Sequence, residues 1–342
     1  MSCKQIYFPK AYCAEMRDVD FDTKPLAPNE LRIKNAFNTI SNGTEKANYS
    51  GDPNTSIYSN FNQPAKFPRA VGYSSSGTVT EIGSSVTRFK VGDRVAVCGS
   101  KHAQYNIVDE SNTVLLDDSV SFQAASMLYI STFPLAALRK TKIEAGESII
   151  VMGLGPLGLL AVQLAHISGA VPVIAVDPIQ ERREKALKFG ADFALDPFDP
   201  NFAKTAKELS GGKGCNAGIE VTGLGSGLDG ILDCMAPFGR VALLGCTRSS
   251  DFSIDYYRKV HGPGITLIGA HTLARPQFES YPGYFTSLDD METLVKLIKY
   301  KRLDLDAMVD EVWSPLQCSD VFSRLASDKG FPPFVQFDWS KM

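Results

Sequence analysis

The sequence predicts an α/β protein in which a β-rich segment, a doubly wound parallel sheet and an α+β tail follow one another. Three observations carry this expectation. The run Ser148 to Gly158 joins a buried strand to a G-x-G-x-x-G turn and a helix. Beyond about Phe122, short runs of Val, Ile and Leu alternate with helical segments, the pattern of a parallel sheet. At 342 residues the chain is long enough for two domains.

The elements are expected in this order. Glu30 to Ala36 alternates polar and apolar residues, as a half-buried strand does. Ser76–Gly83 and Asp93–Val97 are further strands bounded by glycine. Pro53 to Pro68, rich in Asn, Ser, Pro and aromatics, reads as a loop lining a cleft. Parallel strands are expected at 149–152, 173–176, 217–221, 241–245 and 265–269. Helices are expected at 159–167, 181–189 and 228–235 between them, and at 288–300 and 317–327 in the tail, before a closing strand at 334–337. The tail is expected to rejoin the first segment. This gives one domain from 1–122 and 271–342, with a second, 123–270, inserted.

The glycine turn carries the first functional reading. Gly153 permits a tight turn, Gly155 lets the backbone approach a pyrophosphate, and Gly158 lets helix and strand pack closely. The helix N-terminus offers free N–H groups and a positive dipole to phosphates. Asp177 ends the next strand, 24 residues after Gly153, where an acid accepts hydrogen bonds from the adenosine ribose. A carboxylate there favours NAD, because it repels a 2′-phosphate. Arg182 and Arg183 lie close enough to blur that preference, against a solvated position on their helix.

Composition narrows the classes. Hydrophobic residues are 44% and charged residues 21%, as in an ordinary globular protein. A net charge of -3 argues against a nucleic-acid partner. The first residues lack the apolar core of a signal peptide, and no apolar stretch reaches membrane-spanning length. Seven cysteines without a C-x-x-C pair fit reduced thiols in a cytoplasmic protein. Cys98, Cys234 and Cys246 read as small core residues.

The chain resembles the medium-chain dehydrogenase/reductase superfamily, the alcohol-dehydrogenase-like proteins, over nearly its whole length. The carriers are Asn42-Gly43-Thr44-Glu45, Val71-Gly72-Tyr73-Ser74-Ser75-Ser76-Gly77, Phe89 to Val95, the glycine turn, Lys188-Phe189-Gly190-Ala191-Asp192 and Gly239-Arg240-Val241. The resemblance implies a barrel-like, GroES-like catalytic domain and a Rossmann cofactor domain. It also implies a homodimer or homotetramer, often paired through the last Rossmann strand. The expected cofactor contacts are Thr132, Gly153, Gly155, Pro156, Leu157, Gly158, Asp177, Arg182, Thr222, Gly245, Cys246, Ala270 and His271; of these Thr222, Gly245 and Cys246 fall at strand C-termini, the crevice positions of an open α/β sheet.

Zinc is where the sequence departs from the best-known members. Asn42 stands at their Cys position, Tyr73 at their His position, and the third position falls near Tyr129. None is a usual zinc ligand. The four-Cys lobe is also missing, since only ten residues separate Val95 from Tyr105. The variant motifs, with Lys101-His102-Ala103-Gln104-Tyr105, look like a zinc-independent branch that includes threonine-dehydrogenase-like and bacteriochlorophyllide hydroxyethyl dehydrogenase proteins.

Without metal, a side chain or bound water must polarise the reacting oxygen. Tyr73 and Thr44 are the candidates the resemblance places at the nicotinamide, against Tyr73 merely filling the space of the metal. Ala47 stands where some members carry a relay His. His102 is a candidate general base, against a hydrogen-bonded packing role. Arg69 and Arg275 are candidates for a substrate carboxylate or phosphate, against ordinary solvated or salt-bridged positions.

The expected activity is NAD-dependent, metal-independent hydride transfer with a secondary alcohol or ketone, such as a polyol, a sugar or a related hydroxylated metabolite. The partner is a small molecule, neither nucleic acid nor membrane. The sequence also admits an NADPH-dependent quinone or enoyl reductase, and a nucleotide-binding protein without catalysis.

Overall fold

The computed structural model describes residues 2–20, 25–55, 65–250 and 252–342. The central part of the loop expected at 53–68 therefore lies outside the described residues. Along the chain, strands β1 (Ser2–Phe8), β2 (Glu15–Asp20) and β3 (Glu30–Thr39) lead to helix α1 (Asn42–Ser50). Strands β4 (Arg69–Ala70), β5 (Ser74–Ile82), β6 (Arg94–Cys98), β7 (Tyr105–Asp109) and β8 (Thr113–Leu115) precede helices α2 (Phe122–Ala125) and α3 (Leu128–Thr141). Strands β9 (Ile149–Met152), β10 (Val173–Val176), β11 (Phe193–Leu195) and β12 (Cys215–Glu220) then alternate with helices α4 (Pro156–Ile167), α5 (Gln180–Lys188) and α6 (Phe202–Leu209). Helix α7 (Gly225–Asp233) and strands β13 (Met235–Leu243) and β14 (Thr266–Gly269) follow. Helix α8 (Ser287–Lys299), strand β15 (Glu311–Trp313), helix α9 (Cys318–Ser327) and strand β16 (Val335–Asp338) end the chain.

Two compact units result. One comprises residues 1–130 and 291–342, the other 131–290. The divisions lie at 130/131 and 290/291, where the sequence expects 122/123 and 270/271. A buried ion cluster explains the later second division. Asp290 sits 3.0 Å from Arg139 Nε and 3.3 Å from Arg275 Nη1. Arg275 Nη2 donates to the Thr132 carbonyl (2.7 Å), and Lys140 Nζ donates to the carbonyls of Gly269 (2.9 Å) and Ala274. The segment after β14 is thus fastened to helix α3.

In the first unit, β3 is the central strand. It pairs antiparallel with β5, β7 and β16. The sheet order is β15-β16-β3-β5-β6-β8, and β2-β1-β4 forms a smaller sheet. The first and last segments share one core, in which Phe8, Tyr49, Phe322, Phe337 and Trp339 pack together. Phe8 meets Phe322 edge-on at 4.8 Å between centroids. Such a pair adds about 1 kcal/mol to the area buried.

The second unit is a six-stranded parallel sheet of order β11-β10-β9-β12-β13-β14. Strands β9 and β10 are buried at every position, which is why they read as unbroken apolar runs. Helices α6 and α7 cover one face, where Phe202, Ala206, Ile231 and Leu232 meet Ile150, Met152, Ile174 and Val176. The order reverses between β9 and β12, and ligands of such sheets bind outside the strand ends at that point.

Two expectations shift. Strand β13 begins at Met235 rather than near Val241, and passes an irregularity opposite Cys215 and Ala217. Phe238 there adopts a left-handed φ of 63°. Cys246 is exposed, whereas Cys98 and Cys234 are buried as expected. The strand ends at Leu243, so Cys246 lies in the loop beyond it.

Candidate functional site

The glycine turn takes a form that only glycine tolerates. Gly153 has φ +96°, and a Cβ there would press on Thr222 Cγ2 at 2.9 Å. A Cβ on Gly158 would overlap the Gly153 carbonyl oxygen. Gly155 is different: a Cβ there meets nothing within 4 Å. The first glycine thus shapes the turn, the third seals the helix against it, and the second leaves its outer side open. Gly155 caps α4 and Pro156 takes the first helical position, where its missing N–H costs nothing. The N–H groups of Leu157 and Gly158 lie in the first turn, where no intrahelical acceptor exists.

Asp177 is 4% exposed and is built into this turn. Its Oδ2 accepts the Leu154 N–H at 2.8 Å and its Oδ1 accepts the Ile179 N–H at 2.9 Å. A carboxylate has about four acceptor positions, so each oxygen keeps one beyond its backbone bond. Arg182 Nη1 stands 3.8 Å from Oδ2. Arg183 turns away to the Asp177 carbonyl (2.6 Å) and Asp196 (3.3 Å).

The neighbouring strand ends complete the crevice. Glu220, buried at the end of β12, accepts the N–H groups of Thr222 (2.8 Å) and Gly223 (3.1 Å) and the Thr222 hydroxyl. Burial raises its pKa against those hydrogen bonds. Gly245 lies so close to Gly223 that a Cβ would overlap the Gly223 nitrogen. The Ala270 N–H donates to the Leu243 carbonyl at 3.1 Å. His271 Nδ1 accepts the Leu273 N–H at 3.2 Å, and burial lowers its pKa. Thr132 is fully buried and its carbonyl is held by Arg275.

The first unit gathers a second set of groups around the N-terminus of α1. Tyr73 donates its hydroxyl to Ser41 Oγ, and Thr44 lies within hydrogen-bonding reach of the same phenol. Tyr129 packs edge-on against Tyr73 at 5.8 Å. Burial pushes the Tyr73 pKa well above the usual phenol value, and the Glu45 carboxylate adds to this. Asn42 donates its amide to the Pro332 carbonyl at 3.0 Å. Among the described residues, no group of three or more His, Cys, Asp and Glu side chains is placed to hold a metal ion.

His102 belongs to this set in a way the sequence does not show. It is fully buried, and its Nε2–H donates to Glu45 Oε2 at 2.9 Å. Glu45 Oε1 accepts the Ser41 N–H at 3.2 Å, which closes the start of α1. The burial of the ring and its bond to Glu45 match the hydrogen-bonded packing alternative for His102. Arg275 departs from its candidate role, since Asp290 and Thr132 hold it in the ion cluster. Ser41 and Glu45 belong to this cluster of groups, and the sequence reading does not single them out as candidates. Their one signal is a serine at a helix start with a glutamate one turn on.

Two families match this chain. The one described as "Alcohol dehydrogenase GroES-like domain" matches residues 28–122, and "Zinc-binding dehydrogenase" matches 156–287. An L-threonine 3-dehydrogenase of Thermococcus kodakarensis (strain ATCC BAA-918 / JCM 12380 / KOD1) is 32% identical over 263 residues, 69% of this chain and 73% of the relative. The chain belongs to the medium-chain dehydrogenase/reductase superfamily. Among other relatives of this superfamily member, a D-guloside 3-dehydrogenase of Escherichia coli (strain K12) is 26% identical over 313 residues, 86% of this chain and 88% of the relative. Solved structures share the fold. Galactitol-1-phosphate dehydrogenase from Escherichia coli superposes with a TM-score of 0.82 at 19% identity, covering 98% of this chain and 99% of the other. For 2R,3R-butanediol dehydrogenase from Bacillus subtilis the TM-score is 0.80 at 23% identity, with the same coverage. The GroES-like N-terminal domain and the Rossmann-type parallel sheet are thus those of this dehydrogenase superfamily. No helix among the described residues is long and apolar enough to cross a membrane.

Proposed function

We propose that this protein is an NAD-dependent dehydrogenase that transfers a hydride between its cofactor and a secondary alcohol or ketone without zinc. A polyol, a sugar or a related hydroxylated metabolite is the substrate class. The relatives named as threonine and guloside dehydrogenases support the reaction type. The single observation that carries the metal-free reading is the Tyr73–Ser41–Thr44 hydroxyl cluster. Zinc takes thiolate, imidazole or carboxylate ligands. The groups at the ligand positions are an amide and two phenols, so they do not fit it.

Gly153, Gly155, Leu157 and Gly158 are proposed to hold the pyrophosphate, and Asp177 the adenosine ribose. Thr222, Gly245, Cys246, Ala270 and His271 line the strand ends toward the nicotinamide. The open side of Gly155 and the acceptor positions left on Asp177 fit such a cofactor. When bound, the nicotinamide supplies or accepts the hydride.

The chain's own residues handle the oxygen. Tyr73 stays a neutral phenol because burial and Glu45 both oppose its ionisation. With substrate bound, the phenol would turn its one O–H from Ser41 Oγ to the substrate oxygen, which polarises a ketone or holds the oxygen of an alcohol. The proton that an alcohol loses as its hydride leaves, or that a reduced ketone gains, would pass between the phenol and solvent through the Ser41 and Thr44 hydroxyls. Glu45 and His102 fix the start of α1, on which those hydroxyls depend.

A homodimer is the proposed assembly, supported by the open edge of β14, where Leu267 is exposed. Seven free thiols suit a reducing, cytoplasmic setting. The test is a cofactor-linked screen of alcohols and ketones with metal analysis of the same preparation. Turnover that falls at least a hundredfold in Tyr73→Phe, roughly the lower end of the effect of an acid–base group, supports the reading. One zinc per chain overturns the metal-free mechanism.

A further inference from the structure

Arg69 differs from most of the half-buried arginines of the chain. It is half-buried in the first unit. Its Nε donates to the Lys66 carbonyl at 2.9 Å and its Nη1 to Asn48 Oδ1 at 2.6 Å. Its guanidinium lies 4.8 Å over the Phe67 ring. Those partners are all neutral. Several other half-buried arginines meet carboxylates: Arg32 with Glu81, Arg240 with Glu147, Arg275 with Asp290. Arg94 meets none, but its guanidinium is taken up by the carbonyls of Asp117, Asp118 and Val120. Among the described residues, Arg69 has no carboxylate partner. Residues 53–68, the stretch leading to it, contain no acidic side chain at all. Burial lowers its pKa, with no acidic neighbour to offset the cost.

Its place points to a use. Asn48, which accepts from Arg69, donates its amide to the Thr44 carbonyl at 2.8 Å. Asn48 and Thr44 stand one turn apart on α1, about 6 Å along the axis. Thr44 is in the hydroxyl cluster of Tyr73. A guanidinium with donors to spare is thus linked through Asn48 to the helix turn that carries Thr44, on the same helix start as the hydroxyl cluster. A hydroxylated carbon chain with an anionic end is the kind of ligand that would engage both. A charged guanidinium in a half-buried position gains from an anion that it can bind through two parallel N–H groups.

We propose that Arg69 binds a carboxylate or phosphate group on the hydroxylated substrate, and so selects acidic over neutral alcohols. This rests on the dehydrogenase reading above. It narrows the substrate class to hydroxy acids and phosphorylated polyols or sugars.

Two measurements on the whole chain test it. The first is NAD-linked turnover of matched pairs, each a hydroxy acid or phosphate ester beside its neutral parent alcohol. The second is equilibrium binding of inorganic phosphate and of malonate without cofactor. Wild type should prefer the anionic member of a pair. Arg69→Gln should lower the ratio of kcat/KM for anionic over neutral substrate by about tenfold to a hundredfold, the worth of one charge-assisted contact. It should weaken phosphate or malonate binding by a similar factor, and the probe that responds identifies the anion. Arg69→Lys should keep part of both effects, and carries the comparison if the Gln variant does not bind NADH and so is not folded. An unchanged ratio with unchanged anion binding overturns the proposal while leaving the dehydrogenase reading intact. If no pair is turned over, that reading fails instead. The anion subsite is then upheld by binding lost in the variant, and overturned by binding retained.

Discussion

Glu45 and His102 form a closed pair: Nε2 lies 2.9 Å from Oε2, and the two side chains are 2% and 0% exposed. They are 57 positions apart in the sequence. The glycine before Tyr73 makes the pairing possible, since a Cβ on Gly72 would stand 2.6 Å from the His102 nitrogen. The carboxylate joins the loop that carries His102 to the first turn of α1.

Removing one partner leaves the other buried and unmatched. His102→Ala should therefore cost about 3 kcal/mol of stability. Urea unfolding checks this. A loss below 1 kcal/mol would show that Glu45 finds water or another donor.

Two glycines of the turn, Gly155 and Gly158, should behave differently. Gly155→Ala should unfold within about 0.5 kcal/mol of wild type, because its Cβ meets nothing, yet bind NADH more weakly. Gly158→Ala should lose about 3 kcal/mol, because its Cβ overlaps the Gly153 carbonyl. Thermal unfolding beside NADH fluorescence separates the two. Equal stability losses would remove the distinction between an open glycine and a sealing one.

Asp177→Asn removes the charge and keeps an acceptor for only one of the two backbone N–H groups, those of Leu154 and Ile179. It should narrow the preference for NADH over NADPH by about tenfold or more. Parallel titrations with both cofactors check it. A preference unchanged by the substitution would move cofactor choice to Arg182 or elsewhere.

Asp290 gives a pH signature. Burial raises its pKa from 3.8 to about 6, against the opposing pull of Arg139 and Arg275 and with some help from Asp289. Lys140, whose own pKa is lowered, is the remaining cation in the cluster. In the unfolded chain Asp290 loses its proton near pH 4, and in the fold near 6. Between these values the fold holds a proton that the unfolded chain has released. The contribution is thus fully present below pH 4 and is lost as pH rises to 6. Two units correspond to about 3 kcal/mol. Stability profiles of wild type and Asp290→Asn should differ in slope across that window and run parallel above it. Parallel profiles throughout would place the titration elsewhere.

Much of the cofactor half was legible in the residues. Strands such as Val173–Val176 are buried on both faces, so their apolar runs are unbroken, and the glycine spacing has a backbone cause. The other half rests on pairings no local pattern encodes. His102 meets Glu45, and Arg275 meets Asp290 and Thr132, only after distant elements pack. Pro237, Phe238 and Gly239 look like a turn, so the sequence places the start of β13 too late. The parallel partner β12 pairs across the irregularity there. Cys246 looked like core because its apolar neighbours do not reveal where the strand stops.

The ion cluster on α3 also sets where the cofactor unit can be cut free. A fragment ending at residue 270 keeps Arg139 and Lys140 but discards Ala274, Arg275 and Asp290. It strands one guanidinium without its carboxylate and leaves an ammonium with one carbonyl instead of two. The compact unit is 131–290, and the twenty-one residues beyond β14 are its clasp.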